Sequence, residues 1–369
     1  MCPMNRKRKG LWPALALICM AALLGVSALW NTLAGQGCFK ITAETGDALS
    51  QRLSALQTAE GMELGAFSLK NLQTGTLAPA TLYESVLFHP VALGLSMAEG
   101  DMSFRTDAEH QILLHTKTAA RLIPTGQCVG ETVKIEAGQF QVAGLYKGTG
   151  LWKNEASAVV SAGESGLRPV YVWMRTASDD VFAYERLRRA LTEENQGTDA
   201  ASFAGVDLTK RGASAQIANA VALFLMALML AKRFWRDQAG MRQKLIQTAR
   251  ENFQKRYFFG AGIRCIWPFV RYLGVSLLCG GALIAGALLL RQVFSQGAAD
   301  RPEQLLSLRA WGDYFGRESA AIRSMYELPM AACRTGALLQ GLGLGLGIAG
   351  LATAGLALGG KTKKERAKG

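Results

Sequence analysis

Apolar positions along the chain gather into four runs that carry no charged residue. Between the first two runs lies a long stretch where apolar and polar positions alternate at strand or helix period. The runs are 10–39, with a core from Leu11 to Trp30, then 213–231, 272–290 and 335–360. A helix needs about 20 apolar residues to cross ~30 Å of hydrocarbon. Each run therefore predicts a transmembrane helix, the first over 11–34. A cleaved signal peptide fits the first run less well. Its apolar stretch is longer than the roughly 7–15 residues of a signal core. Leu33-Ala34-Gly35 is followed by Gln36, where a lipoprotein signal would place a cysteine. The first run reads as an uncleaved anchor.

The stretch 40–212 has mixed periodicity. Residues 47–58 read as a helix with Leu49, Leu53 and Leu56 on one face, and 64–70 as a strand. Residues 110–116 read as a short strand around Ile112-Leu113-Leu114, and 118–123 as a helical turn. Residues 132–136 and 139–147 alternate on either side of Ala137-Gly138, which predicts a hairpin. Val170, Val172 and Met174 alternate with Tyr171, Trp173 and Arg175, predicting a strand with one buried face. The helix expected next has Asp179 and Asp180 in its positive first turn and a stripe of Val181, Tyr184, Leu187 and Leu191. The order is αβ, a β-rich insert, then βα. The expected fold class is a membrane protein with four transmembrane helices, plus an α+β extracytoplasmic domain with a small β subdomain, inserted between the first and second helices.

Charge orients the spans. Four basic residues and no acidic ones lie in 1–10, ten and two in 232–271, and five and one in 361–369. Residues 40–212 carry 16 basic and 20 acidic residues, and 291–334 six and five. Positive charge marks the cytoplasmic side. Both termini and 232–271 are therefore expected in the cytoplasm, with 40–212 and the loop 291–334 outside. The net charge of +13 is thus a topology signal facing anionic lipid, and no nucleic-acid partner is needed to explain it.

Residues 93–150 read LGLSMAEGDMSFRTDAEHQILLHTKTAARLIPTGQCVGETVKIEAGQFQVAGLYKGTG. This stretch resembles the extracytoplasmic core domain of MacB/FtsX-type ABC transporter permeases. The matching features are Glu99-Gly100, then Ala120 with Leu122-Ile123, Gly130 to Ile135, and Phe140 to Gly144. The order of spans agrees: one, a large outer domain, then the rest. After the second span the chain reads KRFWRDQAGMRQKLIQTARENFQKRYFFGAGIR, where that family carries an Arg/Glu-Ile-Gly-like segment leading to a Leu-Gly-Ala turn. The resemblance implies a cytoplasmic ABC ATPase subunit as partner, nucleotide-driven movement of the outer domain, and a homodimer or a heterodimer with a homologous permease. It places the chain in a bacterial plasma membrane.

Several motifs invite chemistry. Gly355 to Thr362 matches the phosphate-loop pattern G-x-x-x-x-G-K-T, but that loop needs a strand before it and a helix after it. Here an apolar span precedes it. Gly345, Gly347 and Gly350 match the dinucleotide fingerprint and lack the same context. The pairs Gly341/Gly345, Gly343/Gly347 and Gly355/Gly359 are small-xxx-small rows that let helix backbones approach, and they are the candidate helix-packing residues. Residues 237–257 form a basic amphipathic stretch. Met241, Leu245, Ala249 and Phe253 recur every four residues along one side, with Tyr257 beyond them, and Arg242, Lys244, Arg250 and Lys255 lie elsewhere. That pattern suits a helix lying on lipid headgroups and equally an ATPase-coupling helix seated in a groove.

His89, His110 and His115 are too few and too badly spaced for a metal site, and the last two read as strand ends. Cys38 and Cys128 both lie outside the membrane, as a pair or as separate thiols. Cys19, Cys279 and Cys333 fall in or beside spans and read as small hydrophobes. Arg271 begins the third span and is placed to snorkel. No catalytic, cofactor or metal residues are assigned. The expected function is a permease subunit, not an enzyme, that couples ATP hydrolysis by a partner to movement of the outer domain. The alternatives are a non-transporting mechanotransmitter that controls a cell-wall hydrolase or sensor kinase, and an orphan membrane-anchored binding module.

Overall fold

A computed structural model of the chain describes residues 4–45, 47–72, 80–100, 110–123, 126–135, 138–148, 157–161, 166–176, 182–193, 204–255 and 308–359, with scattered positions between 266 and 288. The chain divides into two compact units. One comprises Met1–Asn31, Ala213–Arg301 and Leu339–Gly369; the other comprises Thr32–Gly212 and Pro302–Leu338.

Helix α1 runs Met4–Trp30, and a 3-10 turn, Asn31–Leu33, hands the chain to the second unit. Strand β1 (Gln36–Thr45), helix α2 (Asp47–Glu60) and strand β2 (Glu63–Leu72) follow. Then come β3 (Ala80–Leu87), the short α3 (Pro90–Leu93), β4 (Leu95–Gly100), β5 (Gln111–His115), α4 (Thr116–Leu122), β6 (Thr132–Ile135), β7 (Gly138–Gly148) and β8 (Ser157–Ser161). Strand β9 (Gly166–Arg175), α5 (Ala183–Glu193) and β10 (Ala204–Asp207) complete the sheet.

The strands form one continuous ladder in the order β10-β1-β9-β2-β3-β8-β5-β7-β4, with β6 beside β7. The quartet β10-β1-β9-β2 is antiparallel throughout. With α2 and α5 it makes two interleaved βαβ halves, the split β-α-β arrangement. Leu49 and Leu53 of α2, with Leu187 and Leu191 of α5, are i and i+4 pairs on one helix face. They bury Phe39, Ile41, Ala43, Leu64, Ala66, Val170, Val172 and Met174 of the sheet. Tyr184 stacks on Phe39 with ring centroids 4.6 Å apart.

The insert β3–β8 has a core of its own. It joins Leu82, Ile112, Leu114, Ala119, Val133, Val142 and Val160, with α4 as its lid. The sequence pattern predicts a separate β subdomain. The structure keeps the separate core but not a separate sheet, because β3 pairs with β2 on one side and β8 on the other. The predicted hairpin is β6–β7, paired Val133↔Phe140. Its turn at 136–137 lies outside the described residues, as do Asp179, Asp180 and Val181. Strand β9 departs from the expectation of one buried face. Trp173, on the other face, is 0% exposed, because its indole Nε1–H donates to Gln36 Oε1 at 3.1 Å.

Two further helices follow in the later chain. The loop expected at 291–334 holds helix α7 (Leu308–Glu327). Its Tyr314, Glu318, Ala321 and Met325 are buried at helical spacing. Helix α8 (Ala331–Gly359) follows.

The first unit is helical where described. Among the described residues, three helices are long and apolar enough to cross a membrane: Leu11–Leu33, Leu208–Arg236 and Ala331–Leu358. The second of these is part of α6, a single helix running Leu208–Lys255. The chain is thus a membrane protein with an α/β sheet domain. The predicted span at 272–290 falls largely outside the described residues; the positions described there, such as Leu273, Leu277 and Ile284, are helical and exposed. Three spans rather than four are therefore seen among the described residues. The core of this unit joins Ala16 and Leu23 of α1, Ala222, Leu223 and Met226 of α6, and Ala354 of α8.

Candidate functional site

Along the chain, the two strands that connect to the spans are neighbours in the sheet. Strand β1 begins three residues after the 3-10 turn, and β10 ends one residue before α6. Gly35 sits at φ +76°, a left-handed turn that glycine adopts without a Cβ penalty. Its N–H donates to Thr209 Oγ1 at 3.0 Å, and its carbonyl accepts from Thr176 N–H at 2.9 Å. Asp207 caps α6: its Oδ1 accepts from the N–H groups of Thr209 at 2.9 Å and Lys210 at 3.2 Å. A carboxylate there satisfies orphan amides and sits at the positive end of the helix. Burial raises the Asp207 carboxyl above its ordinary range, opposed by the backbone bond and positive charge of Lys210. Lys210 Nζ lies 3.6 Å from Glu185 of α5. Arg211 lies 3.8 Å from Glu318 of α7, whose side chain is buried. The start of α6 is therefore held to β10, α5 and α7 by charge-assisted contacts.

Within the helical unit, polar groups join the spans. Asn219 Nδ2 donates to Ser27 Oγ at 3.2 Å, and Gln216 Nε2 donates to Asn31 Oδ1 at 3.1 Å. In hydrocarbon such bonds have little competition from water. Arg233 donates to the Ala357 carbonyl at 2.7 Å, placing a cation on the negative C-terminal end of α8.

The candidate packing glycines separate into two groups. A Cβ on Gly343 would lie 2.7 Å from Asn219 Oδ1, and one on Gly347 would lie 3.4 Å from Ala222 Cβ. Gly350 continues that row against Met226 and Cys19. Gly341, Gly345 and Gly355 have nothing within 4 Å. Gly359 closes α8. The dinucleotide-like triplet Gly345, Gly347 and Gly350 is thus ordinary helix. Lys361 and Thr362 lie outside the described residues.

The amphipathic stretch prolongs the second span. Residues 237–255 belong to α6 without a break. Ala249 is half-buried and Arg242 and Arg250 are exposed; the side chains of Met241, Leu245 and Phe253 lie outside the described set, as do Tyr257 and Arg271.

The histidines have local roles. His115 closes β5, and its Nδ1 accepts from Lys117 N–H at 3.2 Å. His110 precedes β5 at φ +74°, and His89 lies against Trp173 with ring centroids 4.9 Å apart. Among the described residues no three metal-ligating side chains converge. Cys38 and Cys128 are both free thiols. Cys128 belongs to the core of the insert, where its Sγ faces the Ile123 carbonyl at 3.9 Å.

Sequence reasoning missed Ser27, Asn219, Arg233 and the Asp207 cap. Asn219 is the one with a signal of its own, being an amide inside an uncharged run.

No protein-family model matches the chain, and no curated protein matches it. Among solved structures, the periplasmic region of MacB from Actinobacillus actinomycetemcomitans aligns at 13% identity over 48% of this chain and 91% of that one, with a TM-score of 0.35. The extracellular domain of the noncanonic ABC-type transporter YknZ from Gram-positive bacteria aligns at 16% identity over 46% of this chain and 100% of that one, with a TM-score of 0.32. Likeness of this degree carries no function with it.

Proposed function

We propose that the chain is the membrane-spanning subunit of a MacB/FtsX-like ABC transport system, in which a partner ATPase on the cytoplasmic side drives movement of the outer domain. The carrying observation is the continuity of α6. One uninterrupted helix starts at the capped end of β10, contains the second span, and extends through the basic stretch to Lys255. At 1.5 Å per residue its 48 residues measure about 72 Å. That is more than twice the ~30 Å of hydrocarbon. The excess makes a lever outside the bilayer, whose apolar positions Met241, Leu245, Ala249 and Phe253 suit a helix-in-groove contact. The resemblance of residues 93–150 to MacB/FtsX-type permeases supports the same reading.

On this reading the chain hydrolyses no ATP itself, and the G-x-x-x-x-G-K-T string has no role. Both termini are cytoplasmic, a fourth span lies at 272–290, and the assembly holds two permease chains. Affinity purification of the full chain from its native membranes tests the proposal. An ABC ATPase is expected to co-purify, with ATP hydrolysis unchanged by Lys361→Ala. Recovery of the intact chain with no ATPase would overturn it.

A further inference from the structure

Trp235 and Lys210 mark where the bilayer ends on α6. Trp235 is 79% exposed, and Lys232 and Arg236 beside it are exposed too. Tryptophan among cations is the pattern of a span leaving the hydrocarbon, with the indole at headgroup level and the cations reaching outward. At the other end, Lys210 and Arg211 are the last charges before the uncharged run 213–231. From Lys210 to Trp235 the helix rises about 37 Å at 1.5 Å per residue. A bilayer has ~30 Å of hydrocarbon and measures ~40–45 Å with its headgroups. With Trp235 at headgroup level in one leaflet, Lys210 is therefore at headgroup level in the other.

The first turn of α5 lies beside Lys210, whose Nζ is 3.6 Å from Glu185 Oε1. A Cβ on Gly37, the register partner of Asp207, would fall 2.7 Å from the Tyr184 ring. Phe182 immediately precedes α5, and its carbonyl accepts from Arg186 N–H at 2.9 Å. The helix thus fixes its place. Leu187 and Leu191 of the same helix are buried on the sheet, but Phe182 is 71% exposed. Among the described residues of Thr32–Gly212, no other aromatic side chain is exposed. A single exposed apolar side chain needs no explanation by itself. This one stands within a helical turn of the residue that contacts Lys210.

We propose that Phe182 inserts into the phospholipid headgroup layer on the sheet's side of the membrane, so that the outer domain rests on the lipid surface through the first turn of α5. The ring exchanges water for the glycerol and upper acyl-chain region, where aromatic side chains collect. Arg188 and Lys210, about half exposed around Glu185, supply cations at phosphate depth. No partner ATPase is required, nor a particular side for the sheet, because either leaflet offers a headgroup layer.

The test uses the full chain in vesicles of phosphatidylethanolamine and phosphatidylglycerol. The photo-reactive p-benzoyl-phenylalanine replaces Phe182, Leu167 or Ile348 in separate preparations. Ile348 is 66% exposed within the span Ala331–Leu358 and reports direct lipid contact. Leu167 is 67% exposed on the same domain as Phe182. It pairs with Glu44, whereas Arg175 pairs with Gln36, which sets Leu167 about 26 Å from Arg175 along β9 at ~3.3 Å per residue. After irradiation, intact-mass spectra should gain the mass of one phospholipid at positions 182 and 348 and not at 167. A lipid adduct at 348 without one at 182, equal adducts at 182 and 167, or a protein adduct at 182 would each overturn the proposal. Phe182→Trp gives a second measurement that needs no photo-reactive group. The emission it adds over wild type should be quenched in vesicles of brominated lipid, and that added by Leu167→Trp should not. Equal added emission from Phe182→Trp in brominated and plain vesicles would leave the ring in water and refute the insertion.

Discussion

Gly343 of α8 stands against Asn219 of α6 so closely that a Cβ on the glycine would fall 2.7 Å from the asparagine Oδ1. The same amide donates through its Nδ2 to Ser27 of α1. The missing side chain on one helix lets a polar group on a second reach a third. Gly343→Ala must push Asn219 aside, and overpacking of this kind costs about 1–3 kcal/mol. Gly341→Ala, two residues away and facing open space, should be neutral or stabilising by up to about 1 kcal/mol, because alanine is the better helix former. Thermal unfolding in detergent compares the two. Equal midpoints would show that Gly343 does not set the packing.

Removing the other half of the same contact gives an independent reading. Asn219→Leu keeps the bulk and loses the bond to Ser27, at a cost of about 0.6–1.7 kcal/mol by analogy with interhelical bonds in other membrane bundles. The double variant Asn219→Leu with Ser27→Ala should cost little more than Asn219→Leu alone. Full additivity in that cycle would mean the two side chains do not interact.

Asp207 combines a cap with a buried carboxyl. Asp207→Ala should destabilise the start of α6 by about 0.5–2 kcal/mol. Its pH dependence has a definite sign. Because burial raises the folded-state pKa, the native state holds the proton more tightly than the unfolded chain does. The stabilising contribution is present below the ordinary aspartate range and is lost as pH rises through the raised value. Asp207→Asn keeps a side-chain acceptor and should flatten that part of the stability–pH curve. An unchanged slope between wild type and Asp207→Asn would assign the titration to another group.

The unbroken α6 makes a prediction about coupling. Gly240→Pro removes the hydrogen bond to the Arg236 carbonyl and breaks the helix, at about 3 kcal/mol or more. On the proposed coupling role, it should leave membrane insertion intact and abolish stimulation of an ABC ATPase. Phe253→Asp, with a charge in a desolvated groove, should abolish co-purification by several kcal/mol. Replacing Arg242 and Lys244 by Gln should weaken lipid contact by roughly 1 kcal/mol per charge and spare assembly. Co-purification of Phe253→Asp at wild-type yield would leave the stretch as an interfacial element only.

Topology can be read directly. Reporters after Gly163 and Gly316 should be extracytoplasmic, and reporters after Gly240 and Gly369 cytoplasmic. A cytoplasmic reading at Gly163 would reverse the arrangement derived from the basic loops.

What the sequence reveals of this fold follows from where the physical signal is local. The stripe of Leu49 and Leu53 and the alternation of Val170, Val172 and Met174 are visible because each set faces one apolar core. Strand β1 is hidden because Cys38 and Phe39 extend the first apolar run, so the helix seems to continue although it ends at Trp30. Helix α7 is hidden because its buried positions include Glu318, held near Arg211, which reads as a solvated charge. Trp173 looks exposed from its register and is buried because Gln36 satisfies its N–H. The junction and packing contacts are the least legible. Arg233 acts on a backbone carbonyl at Ala357, and a backbone partner 124 residues away leaves no mark in side-chain pattern.

The adjacency of β1 and β10 has a consequence for how such a chain is assembled and altered. Gly37 is paired with Asp207 across the ladder, so the roughly 170-residue insertion begins and ends at one place. Its entry and exit are stitched together by the fold itself, and the spans on either side need not close the loop. An insertion with joined ends behaves as a cassette. A different domain whose first and last strands are neighbours at the same spacing would join α1 and α6 at the same two points, with the segment Pro302–Leu338, which belongs to the same unit as the sheet, refitted along with it.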